Sequence, residues 1–269
     1  MKVTYEDHMG TDLSVVNAAK VSFGKRSESD GYCFVHGYGE GLGVQIPNLF
    51  KQDQSLIAFL ARGCTSGDWE KQVSWLADHC RHDEDDTEGY KEFEAILNHI
   101  RKMPSHWSPF AHTAISLHLK MPIFVARQIM KHTTGIEYNE ISRRYVDSEP
   151  EFYVPDVWRK KAEDVKQGSS DESVEYVKMS SNLPTQAMEN MGWVYKRMLD
   201  EGIAPEQARM ILPQSMYTEV IATGNLYAFA NMYIQRSDSH AQKETQDLAK
   251  QIGEIIQPLY PVSWEALCG

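Results

Sequence analysis

The chain has 269 residues, 42% of them hydrophobic and 24% charged, enough for one large or two ordinary domains with a sizeable core. Its formal net charge of -11 argues against a broad cationic nucleic-acid surface, although a few clustered arginines can hold one phosphate in an acidic protein. No stretch approaches the about 18 apolar residues of a membrane span, and the polar start Met1–Gly10 has no apolar signal core, so a cytoplasmic protein is the expectation.

Residues 1–23 predict a short strand and then a helix. Residues 24–50 are glycine-rich and read as loop or hairpin. Helices are expected at about 53–62, 68–80 and 89–102, with the acidic run 83–88 before the last. In Ala114–Met121 the apolar Ile115, Leu117, Leu119 and Met121 alternate with Ser116, His118 and Lys120, the period of a half-buried strand. Pro122 stops it and suits the start of a helix from Ile123 to about His132, with Gly135 beyond as a stop or loop residue. A second extended piece is expected from Ser142 to Val146. Residues 159–181 are charged and serine-rich, as in a mobile loop. Pro184 opens a helix whose Ala187, Met191, Val194 and Met198 share a face and which Gly202 ends. Shorter helices follow from Pro205 and over 225–235. A long one, 239–257, carries Ala241, Thr245, Leu248, Ile252 and Ile256 on one side. The sum is an α+β fold, helices around a small sheet.

The cysteines Cys33, Cys64, Cys80 and Cys268 fit neither a paired zinc motif nor a disulfide framework. His79-Cys80-Arg81-His82 runs straight into four acidic residues, which favours a solvated turn over a metal cluster, and His106, His112 and His118 have poor ligand spacing. No metal site is expected. A nucleophile elbow, a P-loop and a Rossmann glycine fingerprint are all absent. Polar groups do concentrate in one stretch. Arg127 with Lys131, and Gln128 with His132, are four apart on the expected helix. Tyr138-Asn139-Glu140-Ile141-Ser142-Arg143-Arg144-Tyr145 follows, and on an extended backbone Ser142 and Arg144 face one way and Arg143 the other. Arg143, Arg144, Arg209 and Arg236 are the arginines to follow. From the residues alone the reading stops at an α+β protein with an Arg/Gln/Ser/Glu anion site; a solvated helix end and an exposed edge strand explain the same pattern.

The segments Pro122-Ile123-Phe124-Val125-Ala126-Arg127-Gln128, then His132, then Asn139-Glu140-x-Ser142-x-Arg144-Tyr145, resemble the flavin-dependent thymidylate synthases. Val21-Ser22-Phe23, Ser108-Pro109-Phe110-Ala111-His112, Ala208-Arg209-x-Ile211-Leu212-Pro213 and Arg236-Ser237-Asp238-Ser239-His240-Ala241-Gln242 match further blocks in family order. Two features depart. The family signature, Arg-His-Arg, seven residues, Ser, stands here as Lys131-His132-Thr133, eight residues, Ser142, a relaxed form of the viral type. Residues 24–107 are also longer than in compact members, an enlarged N-terminal insertion within a single domain, 1–269.

The resemblance implies reductive methylation of 2′-deoxyuridine monophosphate (dUMP) to thymidylate. Methylenetetrahydrofolate is the carbon donor, FAD the redox cofactor and NADPH the reductant, and no cysteine nucleophile is used. It implies that Arg236 is catalytic, contacting the uracil and stabilising its anionic form. Gln128, Lys131, Glu140, Ser142, Arg143, Arg144 and Arg209 are implied as substrate contacts. His112, Lys131, His132, Thr133, Glu140, Asn225 and Asn231 are implied as flavin contacts. A homotetramer with shared active sites, in the cytoplasm (a host's, for a viral member), with no membrane and no stable nucleic-acid partner, completes the expectation. Hydroxymethylation or use of another nucleotide, and a non-catalytic nucleotide- or RNA-binding descendant, are the competing readings.

Overall fold

The computed structural model describes residues 1–36, 43–64, 105–162, 169–174 and 183–269. The expected helices at 68–80 and 89–102, and the His79–His82 run, lie outside the described residues.

The fold is α+β. Strand β1 (Lys2–Met9) leads into helix α1 (Asp12–Lys20). Next come the hairpin β2 (Tyr32–Val35) and β3 (Val44–Pro47), helix α2 (Lys51–Ala61) and a 3-10 turn, Ser108–Ala111. Strand β4 (Ala114–Pro122), helix α3 (Ile123–Ile129) and strand β5 (Ile136–Glu140) carry the polar stretch. A small hairpin, β6 (Arg159–Lys161) and β7 (Ser169–Ser173), precedes helix α4 (Leu183–Asp200) and the short α5 (Pro205–Ala208). Strand β8 (Tyr217–Gly224) and helices α6 (Leu226–Ser237), α7 (Lys243–Ile256) and α8 (Pro261–Cys268) complete the chain.

The main sheet has the order β1-β4-β8-β5, with every neighbouring pair antiparallel. The alternation in β4 is realised: Ile115, Leu117, Leu119 and Met121 are fully buried. They join Leu226, Phe229, Leu248, Ile252 and Ile256 from α6 and α7 in one core. Each such side chain contributes roughly 1.5–3 kcal/mol when taken out of water. Of the stripe expected on α7, Thr245, Leu248, Ile252 and Ile256 are buried, while Ala241 lies before the helix and is only partly buried.

Several expectations are corrected. Strands β5 and β8 are real and were not foreseen, and neither was α8. Ser142–Val146 is a turn, not a strand: the amides of Tyr145 and Val146 both donate to the Ser142 carbonyl, at 3.0 and 3.2 Å. The helix from Ile123 ends at Ile129, so Lys131 and His132 stand beyond it and do not share faces with Arg127 and Gln128. On α4 the buried residues are Met188 and Tyr195, while Met191 stays 36% exposed. The helix carries two apolar stripes, and its docking against the fold, not its periodicity, selects the inner one. Helix α7 begins at Lys243, four residues later than expected. Residues 159–161 and 169–173 pair as a hairpin where a loop was expected.

Two anchors hold the ends of the chain together. The buried Asp12 carboxylate accepts from the backbone N–H groups of Val262 (2.8 Å) and Ser263 (2.9 Å), closing the first turn of α8. Tyr260 donates its hydroxyl to the Met9 carbonyl at 2.9 Å.

Candidate functional site

Pro122 ends β4 and turns the chain into α3. The first amides of α3 are already used, since Ile123 N–H donates to the Met216 carbonyl (3.0 Å) and Phe124 N–H to that of Gln214 (3.1 Å). Neither of those two amides is left for an anion beside α3.

A cavity of about 730 Å³ opens there. Its floor is Ile123, Ala126, Met130, Leu212 and Met216, and Arg127, Arg143, Arg144 and Arg209 stand around it. Each arginine that the sequence singled out here is tied to the fold through part of its guanidinium. Arg144 Nε donates to Ser142 Oγ at 3.2 Å, and the same hydroxyl accepts the Arg144 amide at 3.3 Å. Ser142 and Arg144 are thus brought together, by the turn and not by strand alternation. Arg209 Nε donates to the Glu206 carbonyl at 3.3 Å, and Arg143 donates to the Ser148 carbonyl. Among the described residues, the terminal nitrogens of Arg144 and Arg209 have no protein acceptor. Two forks held at Nε are pre-oriented for a planar or tetrahedral oxyanion. Glu140 lines the same cavity, its carboxylate fixed by a 2.7 Å hydrogen bond from Thr218. Arg127 and Lys120 are lining residues beyond the implied set; Lys120 had a signal, being the outward cation at the end of an alternating strand.

A second cavity, of about 300 Å³, lies beyond the end of α3. It is lined by Lys131, His132, Thr133, Thr134, Tyr227, Ala228, Asn231 and Gln235. Arg236, near the end of α6, donates from Nε to His132 Nε2 at 2.9 Å. Burial first, and the Arg236 charge second, push the His132 pKa down from 6.5 to about 4. The ring is therefore neutral near pH 7, accepts at Nε2 and carries its proton on Nδ1. The loop after α3 is pinned by Tyr138, whose hydroxyl shares its proton between the carbonyls of Ile129 (3.1 Å) and His132 (3.0 Å). Asn225 caps α6 by accepting from the Ala228 amide at 2.9 Å, and Asn231 donates to the Tyr227 carbonyl at 2.9 Å. Gly135 has φ +78, and a Cβ there would lie 2.7 Å from the Asn225 side chain. His112 is exposed at the end of the 3-10 turn, one residue before Thr113, whose hydroxyl accepts the Leu226 amide at 2.9 Å.

The fold thus divides the implied residues. Glu140, Ser142, Arg143, Arg144 and Arg209 meet in the first cavity. Lys131, His132, Thr133 and Asn231 meet in the second, with Arg236 bonded to it. Lys131 and Glu140, implied for both ligands, each line only one. Gln128, His112 and Asn225 line neither, and Gln128 donates instead to Gln242 Oε1 at 2.7 Å. Tyr227 belongs to the second cavity and went unnoticed; an aromatic in the first turn of an amphipathic helix reads as core. Among the described residues, no cluster of histidines, cysteines and acids could hold a metal ion.

One cavity lined by four arginines, with four glutamates among them, lies beside a second polar one, and its guanidinium groups are chemically able to hold an anion. Comparison with known proteins narrows this. Residues 46–262 match the family described as thymidylate synthase complementing protein. A flavin-dependent thymidylate synthase of Thermosipho africanus is 40% identical over 261 residues, 97% of this chain and 87% of the relative. One from Treponema denticola is 36% identical over 96% of this chain and 75% of its own length. Among solved structures, a UMP/dUMP methylase, PolB, from Streptomyces cacaoi bound with 5-Br dUMP has a TM-score of 0.63 at 27% identity, covering 98% of this chain and 93% of that one. The chain belongs to the flavin-dependent thymidylate synthase family. None of these relatives points to a viral origin.

Proposed function

We propose that the protein converts dUMP to thymidylate, with methylenetetrahydrofolate as carbon donor, FAD as redox cofactor and NADPH as reductant. The observation that carries this is the first cavity, where Arg144 and Arg209 are held at Nε with their outer nitrogens toward open space. In this reading the nucleotide phosphate meets Ser142, Arg144 and Arg209, with Arg143 and Glu140 beside it and Gln128 reaching the nucleotide after leaving Gln242. Arg236 contacts the uracil ring and stabilises the negative charge that makes carbon 5 nucleophilic; a guanidinium does so without exchanging a proton. The His132 acceptor holds that guanidinium at Nε and leaves its outer nitrogens for the base.

The donor set of the second cavity suits one part of a flavin dinucleotide: an ammonium (Lys131), two hydroxyls (Thr133, Thr134), two amides (Asn231, Gln235) and an aromatic ring (Tyr227). His112, His132 and Asn225 complete the proposed flavin contacts. When bound, FAD supplies the electrons that complete the methyl group, and the protein's part is to bind, orient and exclude water. The chain acts as one domain, with 24–107 as an elaboration, in a cytoplasmic homotetramer. The exposed Met191 (36%) and Trp193 (65%) of α4 suit a surface buried against another copy.

The likeness to a UMP/dUMP methylase favours one second reading, that uridine monophosphate is also a substrate. Both are tested by mixing reduced flavoprotein anaerobically with methylenetetrahydrofolate and either dUMP or UMP, and weighing the product. A methyl increment on dUMP is the expected result, and on UMP as well under the second reading. Bound flavin with no methylated nucleotide would sink the proposal; a hydroxymethyl increment would redirect it.

A further inference from the structure

Tyr227 sits in the first turn of α6, with one side facing the second cavity. It is held at both its ring and its hydroxyl. Its ring stacks on Trp107 at 5.6 Å between centroids, with the planes 28° apart. Its hydroxyl donates to the Cys64 carbonyl at 2.9 Å, and its own carbonyl accepts the Asn231 amide at 2.9 Å. Tyr227 lines the cavity and Trp107, stacked on its ring, does not. Trp107 is itself 46% exposed, so core packing does not account for its position.

A rigid aromatic ring in a pocket otherwise made of an ammonium, an imidazole, hydroxyls and amides is an odd component for a site that binds only phosphate. Its chemistry matches a flat heteroaromatic ring that stacks while its polar edges and its phosphates meet the surrounding groups. Fixing the ring beforehand removes the rotamer entropy that stacking would otherwise cost.

We infer that Tyr227, braced by Trp107 and the Cys64 carbonyl, is a stacking platform for a planar ring of the dinucleotide cofactor. This rests on the flavin reading above. Two rings of FAD share the required chemistry, the isoalloxazine and the adenine.

The test is cofactor binding by flavin-stripped protein, measured by calorimetry with FAD, FMN and ADP. Stacking on an aromatic side chain is worth about 1–3 kcal/mol, so Tyr227→Leu is expected to weaken FAD by roughly fivefold to a hundredfold or more. Tyr227→Phe keeps the ring and is expected to stay within about threefold of wild type. If Tyr227→Leu weakens FMN with FAD, the isoalloxazine lies on the platform; if it weakens ADP with FAD, the adenine does. Unchanged FAD affinity in Tyr227→Leu overturns the inference. Should that variant fail to fold, Trp107→Ala decides, because Trp107 is half exposed: a several-fold weaker FAD supports the platform, and unchanged affinity overturns it. Wild-type protein that takes up no flavin overturns the flavin reading itself, an outcome distinct from wild-type uptake with insensitive variants.

Discussion

Individual side chains at the two cavities are held by one another and by the backbone. Arg209 donates to one backbone carbonyl and lines the first cavity, the proposed nucleotide site. A lost charge-assisted hydrogen bond costs about 1.5–3 kcal/mol, so Arg209→Ala is expected to weaken dUMP binding by roughly tenfold to a hundredfold by calorimetry. Arg236→Ala is expected to abolish turnover while the protein still binds flavin, read from the visible spectrum and product analysis. Near-normal activity would remove Arg236 from the chemistry. His132 gives a pH signature. Its folded pKa, about 4, lies below the unfolded value of 6.5. The unfolded chain therefore takes up the proton first as pH falls. The stabilisation is complete above about pH 6.5 and is lost between there and about pH 4. With half the ring still reached by water, the expected loss is about 1–2 kcal/mol. Urea unfolding at pH 7 and pH 4.5 should show His132→Gln losing less stability than wild type across that window; equal losses would contradict the assignment.

Elements are placed by a few long-range contacts more than by their own propensity. Helix α8 is short, eight residues, and its first turn is closed by Asp12 from the other end of the chain. Asp12→Ala leaves two amides without that carboxylate and opens a small gap, at an expected cost of about 2–4 kcal/mol by denaturant titration. Asp12→Asn keeps one acceptor oxygen and is expected to lose less. A change within 0.5 kcal/mol for Asp12→Ala would show that α8 is held by its apolar face alone, through Trp264 and Leu267. The strand β8 illustrates the limit of local reading. Its inward residues are Thr218, Val220, Ala222 and Gly224, of which only Val220 is a strong apolar signal. At Gly224 space is short: a Cβ there would stand 2.6 Å from the Gly135 carbonyl oxygen. The same economy that lets β5 pack against β8 erases the alternation that would have marked the strand.

On the scale of the whole molecule, an acidic protein sets Lys120, Arg127, Arg143, Arg144 and Arg209 against Glu140, Glu149, Glu151 and Glu219 in one cavity, so that lining is slightly cationic within a negative envelope. Binding there couples to global stability. A ligand at a hundred times its dissociation constant adds about 2.7 kcal/mol to the folded state. Saturating dUMP is expected to raise the thermal midpoint by several degrees, and Arg209→Ala to need far more nucleotide for the same shift. A midpoint indifferent to dUMP in flavin-loaded protein would argue against the first cavity as the nucleotide site.

The sequence by itself determined the α+β class, the inward face of β4, the buried stripe of α7 and the ordered blocks that place the chain in its family. These are local matters of period and residue identity. It also picked out Ser142 with Arg144, although for a strand that is a turn. Only the tertiary structure decided that β8 lies at the centre of the sheet, that α4 buries Met188 and Tyr195 and leaves Met191 outside, and that Arg236 bonds His132 across 104 positions of chain. It also decided that Lys131 and Glu140 line different cavities. Each of these turns on which surfaces meet when distant segments pack. No window of sequence holds that information, because the competing arrangements satisfy the same local preferences equally well.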